Sequence, residues 1–232
     1  MVRPKGDIED RILRAARERF LLEGVAGASL RSVARDAGTS IGMIYYYFPT
    51  KEVLFLAVVE AVYERVLRDI ESALAADRSV RERLLRLYER IGRLDSEEID
   101  VLRLIVREAL ISTERRERLL ERFSRGHFPV VVRTILEGLS DGSLDRSLHP
   151  LVLLSSVIAL GALPPVIVRL VGGRLPLPGP AIPSELPNQL ISALFGGIGA
   201  KRAPDAPART SPTPSPPRIG QSSRGLKTPR KK

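Results

Sequence analysis

The 232 residues predict an all-α protein. Apolar residues recur three and four apart through most of the chain, the spacing of a helix face. Period-two alternation, the mark of a half-buried strand, is scarce. Glycine and proline punctuate the periodic runs at Gly24, Gly27, Gly38, Pro49 and across 172–183.

The first helix is expected over 7–23, where Ile8, Ile12, Ala16 and Phe20, joined by Leu13, mark one face. Asp7, Glu9 and Asp10 suit the positive end of its dipole. Helices follow at 30–37, 41–48 and 51–75, then at 80–95, 97–112, 115–139, 149–171 and 184–196. The Gly- and Pro-rich stretch 172–183 reads as a surface connection. Residues 199–232 hold seven of the 18 prolines and almost no large apolar side chains. Such a tail cannot bury enough apolar area to offset its ordering entropy, so disorder is expected. The domains are accordingly 7–67, 68–198 and a basic tail at 199–232.

Composition narrows the chemistry. The chain has no Cys, which removes disulfides, Cys-bound zinc, iron–sulfur centres and thiol catalysis. Only His127 and His149 remain as imidazole ligands or bases, so neither a metal site, a cofactor nor an enzyme is expected. The N-terminus has no apolar run behind its charges, so no signal peptide is expected and the location reads as cytoplasmic, at the nucleoid. The net charge of +10 suggests nucleic acid, yet +8 of it lies in 201–232 and residues 7–67 sum to −1. Residues 150–168 carry no charge, a length near that needed to span a bilayer. Pro164-Pro165, Ser155, Ser156 and Gly161 favour a buried interface helix over a membrane one.

The stretch Ser29–Phe55, SLRSVARDAGTSIGMIYYYFPTKEVLF, carries the function. Ser29 is placed to cap a short helix bearing Leu30, Val33, Ala34 and Ala37. Gly38 stands where a left-handed residue is wanted, and small Ala34 lets the next helix cross closely. Thr39 or Ser40 can cap that helix, which must end before Pro49. Two short helices around a Gly-containing turn make a helix-turn-helix. Tyr45, Tyr46 and Tyr47 fan across about 200° of the second helix, too wide for one core-facing stripe. Ile44 and Phe48 are expected to pack inward while Tyr45 and Tyr46 reach out with hydroxyls suited to phosphate. Thr50 can cap the following helix, setting Lys51 beside its unpaired N–H groups, where the two can share a phosphate. Gly42 near a helix start permits close approach to DNA.

Residues 7–67 resemble the tetracycline-repressor family of bacterial transcriptional regulators. The likeness rests on Ala15-Ala16, Phe20, Gly24, Ser29-Leu30-Arg31, Val33-Ala34, Ala37-Gly38-Thr39-Ser40, Gly42, Ile44-Tyr45 and Tyr47-Phe48-Pro49-Thr50-Lys51-Glu52. The resemblance implies an all-helical homodimer with a three-helix DNA-binding head, 30–37 positioning and 41–48 recognising. By motif position, Ser29, Arg31, Thr39, Ser40, Ile41, Gly42, Tyr45, Tyr46, Tyr47 and Lys51 match places that family members often set against double-stranded DNA. Members often carry His or Trp in place of Tyr46 or Tyr47, and a polar residue in place of Ile41. Ile41 and Met43 offer no hydrogen bond to a base, leaving Arg31 as the best guanine reader.

The resemblance also implies dimerisation through the last two long helices, near 149–171 and 184–196, and a small-molecule effector. Leu186, Leu190, Ile191, Leu194 and Phe195 supply a stripe for an isologous four-helix interface. Tyr63, Tyr88, Phe123, His127 and Phe128 are the candidate effector contacts. The run Glu114–Arg122 reads as a solvated face with i,i+3 and i,i+4 ion pairs. Repression is the family's commoner role. The competing readings are an enzyme or small-molecule-binding helical protein whose N-terminal motif is incidental, a membrane-anchored regulator using 150–168, and a non-specific DNA binder driven by the tail.

Overall fold

The computed structural model describes residues 5–171 and 184–197, with backbone alone at either edge of the first stretch. Among them run ten helices: α1 Lys5–Gly27, α2 Leu30–Asp36, α3 Ile41–Tyr47, α4 Lys51–Ala73, α5 Val80–Gly92, α6 Ser96–Ile111, α7 Thr113–Ser124, α8 His127–Asp141, α9 Pro150–Val171 and α10 Leu186–Gly197. The expected connection at 172–183 and the tail beyond 197 lie outside the described residues.

Helix ends follow from local chemistry. Ser40 Oγ accepts the Met43 N–H at 3.3 Å, and Thr50 Oγ1 accepts that of Val53 at 3.2 Å. Ser79/Glu82 and Asp95/Glu98 close capping boxes at α5 and α6. Ser29 has the extended backbone of a cap, but its side chain makes no capping bond, contrary to expectation. Helix α1 runs on past Gly24 to Gly27, with a kink where Gly24 takes φ 76° and ψ 160°.

The single helix expected over 115–139 is two, α7 and α8. The backbone leaves the helical region at Gly126, at φ −115° and ψ −114°. The Tyr63 hydroxyl occupies the space a side chain would need there, 2.2 Å from where a Cβ would stand. Packing set this break, which the apolar periodicity passed over.

Two apolar clusters fill the interior. Phe20, Ile44, Phe48, Leu54 and Phe55 build the first together with Val101, Leu104 and Leu119 from α6 and α7. Ile70, Leu74, Leu84, Tyr88, Ile135, Leu153 and Val157 build the second, with Ile191 and Leu194 of α10. Helix α4, about 34 Å long at 1.5 Å per residue, runs through both. A displacement of α4 therefore reaches both cores.

The stripe assigned to a dimer interface on 184–196 is turned inward. Ile191 and Leu194 are buried in the second cluster, with Leu190 and Phe195 packed against it. Their spacing fits an internal face as well as an external one, and α5 and α9 take it up. The uncovered apolar side belongs to α9: Leu151, Val152, Ile158, Leu163 and Ile167 are exposed. The 19 residues Pro150–Val168 are long and apolar enough to cross a membrane by composition. The opposite side of the same helix is packed in the protein's own core. There Gly161 admits the Tyr88 ring, and the Tyr88 hydroxyl donates to the Val157 carbonyl at 3.0 Å.

Candidate nucleic-acid interface

Helices α2 and α3 are joined by a tight left-handed turn. Gly38 takes φ 60°; its N–H donates to the Arg35 carbonyl at 3.0 Å and that of Thr39 to Ala34 at 2.9 Å. This is a Schellman closure, and it fixes the angle at which α3 leaves α2. Ile44 is fully buried and Phe48 nearly so, which anchors the inner face of α3. The outer face then follows from 100° per residue. Tyr45 and Tyr46 are 53% and 66% exposed, and Tyr47 lies between, packed against the core. The Tyr46 ring meets Tyr47 edge-on at 5.2 Å, which limits where the outer ring can swing.

The remaining residues of the motif surround this face. Ser29, Arg31, Ser40 and Gly42 are exposed, while Thr39 and Ile41 are half-buried. Ser29, Arg31, Ile41, Tyr45 and Lys51 line one open concavity with Ala28 and Leu30. Arg31 makes no ion pair or hydrogen bond among the described residues.

Lys51 behaves differently from a solvated lysine. Its Nζ donates to the carbonyls of Ala26 at 2.7 Å and Ala28 at 3.1 Å, at and just past the end of α1. An ammonium has three protons, so one remains for the concavity. Lys51 thus ties the end of α1 to the first turn of α4 while lining the concavity.

The effector candidates divide. Tyr63, Phe123, His127 and Phe128 come together as a ring cluster with centroids 4.7–5.9 Å apart. Tyr88 belongs instead to the second core, beside α9. It borders a cleft with Glu89, Arg93, Pro165 and Asn188.

Within the ring cluster the Tyr63 oxygen accepts the His127 backbone N–H at 3.2 Å and lies 2.8 Å from His127 Nδ1. A neutral imidazole with Nδ1 unprotonated would accept the phenol O–H there, completing the bonds of the hydroxyl. Burial, helped by nearby Arg122, lowers the His127 pKa to about 4. The unfolded chain binds this proton near pH 6.5 and the fold only near 4, so stability should fall as pH drops between them and level off below. Denaturant titrations of the wild type and His127→Gln check this. The variant should be flatter over that window, and an identical pH profile would remove His127 as the source.

Sequence reasoning missed an internal polar network. Glu108 and Arg115 are buried. Glu108 Oε2 accepts from Arg115 Nη1 at 2.8 Å, while its Oε1 accepts the Val25 N–H at 3.2 Å. Arg115 also grips Glu52 at 2.9 and 2.8 Å, through Nε and Nη2. Arg107 donates to the carbonyls of Phe20 and Leu21. The run Glu114–Arg122 is thus only partly the solvated face expected. Arg118 pairs with Glu114 within the helix, but Arg115 and Arg122 cross to Glu52 and Glu60 on α4. The only advance signal was Arg115 standing four residues before Leu119, on the core-facing side.

Residues 12–58 match the family described as bacterial regulatory proteins, tetR family. Among curated proteins, the HTH-type transcriptional repressor NicS of Pseudomonas putida is 38% identical over 77 residues, which is 33% of this chain and 36% of NicS. The match thus spans about a third of that relative's length. Among solved structures, a Saccharomonospora viridis transcriptional regulator in complex with choline aligns with TM-score 0.61 at 20% identity, covering 85% of this chain and all of the other. The Bacillus subtilis transcriptional regulator FadR in complex with stearoyl-CoA aligns with TM-score 0.63 at 18% identity, covering 82% and 98%. At such identities these likenesses establish the fold. Residues 12–58 are thus a segment of the type that defines the tetR family of bacterial regulatory proteins.

Proposed function

We propose that this protein is a homodimeric, sequence-specific DNA-binding regulator of transcription, a repressor that a small-molecule effector releases from its operator. The observation that carries the reading is the split face of α3. Ile44 and Phe48 are anchored inward, and Tyr45 and Tyr46 stand outward beside Arg31 and Lys51. A rigidly seated short helix with an exposed aromatic and basic rim suits insertion into a major groove. The head's formal charge is −1, so binding depends on individually placed cations rather than on bulk field.

A second copy covering the exposed face of α9 places two heads in one assembly. The symmetric dimer sets its α3 helices about 34–36 Å apart on a pseudo-palindrome. The inward seating of Leu153 and Val157 favours this over a bilayer. An effector acts by binding better to the conformer in which the heads no longer match that spacing. Choline and stearoyl-CoA in the two structural neighbours support a small-molecule effector as a class. The Tyr63 cluster is the proposed contact region, inside the cytoplasm.

Genome-wide mapping of bound sites, followed by gel shifts on the enriched fragments, tests the reading. A paired half-site motif is expected. Enrichment without a motif, lost on truncation after residue 198, would favour non-specific binding by the tail. Recovery of the protein with membranes would overturn the assignment of α9 to a dimer.

Lys51→Ala should weaken binding to all duplexes alike and make the salt dependence shallower by about one phosphate contact. An unchanged slope of log K against log salt would confine Lys51 to its two carbonyls.

A further inference from the structure

The exit of α1 into the helix-turn-helix is held by side chains from other helices. At Gly24 the helix kinks with positive φ, and the Val25 N–H donates to Glu108 Oε1. The carbonyls of Phe20 and Leu21 take their donors from Arg107. Residues 24–28 then present the carbonyls of Ala26 and Ala28 that seat Lys51. Next to Lys51, Glu52 is gripped through both oxygens by Arg115, which also holds Glu108. Body helices α6 and α7 therefore hold both flanks of the helix-turn-helix, one at residues 20–25 and one at the first turn of α4.

We propose that Arg107, Glu108, Arg115 and Glu52 are positioning residues for DNA binding. As one ionic lock centred on the buried Glu108 and Arg115 they set the pose of α2 and α3 without touching DNA. The inference rests on the DNA-binding reading above. Its physical ground is that Glu108 and Arg115 are buried at 1% and 8% exposure, where an ionic group persists only with its partners in place. Each partner is also directional. The guanidinium fork of Arg115 fits the Glu52 carboxylate in one plane, so a shift of α7 carries the start of α4 with it. The lock leaves the left-handed turn at Gly38 and the Ser40 cap intact, so its loss should misplace the motif rather than melt it.

The test uses the full chain with Glu108→Gln, Glu52→Gln, Arg115→Met and the double variant Glu52→Gln/Arg115→Met. Hydrogen exchange without DNA reads the lock directly. In Glu108→Gln, amides 24–28 should exchange at least tenfold faster while those of α5 and α8 keep their wild-type rates. Affinity is then measured for a duplex that the wild type enriches from a random library. Each single variant should bind at least tenfold more weakly, and the double no more weakly than the worse single, because both break one link. Glu52→Gln acts at the half-exposed end of the network, so it keeps the test alive if Glu108→Gln fails to fold. Unchanged exchange at 24–28 overturns the inference. So does faster exchange with affinity within twofold of the wild type, or additive losses in the double variant. A wild type that enriches no duplex fails the DNA reading instead, and the exchange arm separates the two failures.

Discussion

Arg83→Ala should cost about 3–4 kcal/mol of folding stability, the largest stability loss expected from a single polar side chain outside the Glu108 network. Arg83 is 2% exposed. Its Nε donates to the Leu74 carbonyl at 3.0 Å, its Nη2 to Thr134 Oγ1 at 2.8 Å, and its Nη1 to Glu137. Leu74 caps the C-terminus of α4 and is itself fully buried, so its carbonyl has no water to turn to when the guanidinium goes. A buried acceptor left empty costs about 1–3 kcal/mol, and the lost side-chain volume between α5 and α8 adds a cavity cost. Glu137 is 39% exposed and re-solvates, so it contributes little. The melting temperature should fall by about 6–15 °C for a chain of this size. Arg86→Ala, one helix turn away and exposed, should stay within about 0.5 kcal/mol. Arg83→Met separates the causes, since it restores the volume without the hydrogen bonds and should recover only the cavity part. A drop of under about 2 °C for Arg83→Ala would mean that water replaces the guanidinium at Leu74.

Arg83 also shows what a single sequence conceals. The helix-turn-helix was legible because its determinants are local. Gly38 is the residue that tolerates the left-handed turn, Ser40 and Thr50 are caps, and the tyrosine fan follows from helix geometry alone. The inner network was not legible, because its pairs lie far apart in sequence: Glu52 with Arg115, Val25 with Glu108, Arg83 with Thr134. Only its four-residue spacing to Leu119 distinguishes Arg115, which is buried, from Arg118, which pairs within its own helix. The inward face of α10 was misread for a related reason. Apolar spacing reports that Ile191 and Leu194 need cover but not which chain supplies it. Gly126 was passed over as a break because the Tyr63 hydroxyl that demands it comes from another helix.

Arg31→Ala should lower operator affinity by about 1–3 kcal/mol, roughly 5- to 150-fold, and relax preference at one base pair per half-site. The argument is one of elimination within the concavity. Lys51 lines it but has its ammonium held by Ala26 and Ala28, so it cannot extend to a base edge. Tyr45 has one hydroxyl on a stiff ring, and Ile41 has no polar atom. Arg31 alone combines reach, a two-pronged donor and the absence of an internal partner among the described residues, the combination that matches the paired acceptors of guanine. Arg35, one turn along α2, is exposed but already leans on Asp36 at 3.4 Å, so Arg35→Ala should matter less. Arg31→Lys decides between the two kinds of contact. A base reader loses its fork and stays weak and permissive, whereas a phosphate contact is restored by any cation. Affinities on the selected duplex and on single-base variants, each at two salt concentrations, separate these outcomes. Recovery by lysine with sequence preference intact would move Arg31 to the backbone, and specificity would then rest on DNA shape and on the Tyr45–Tyr46 face.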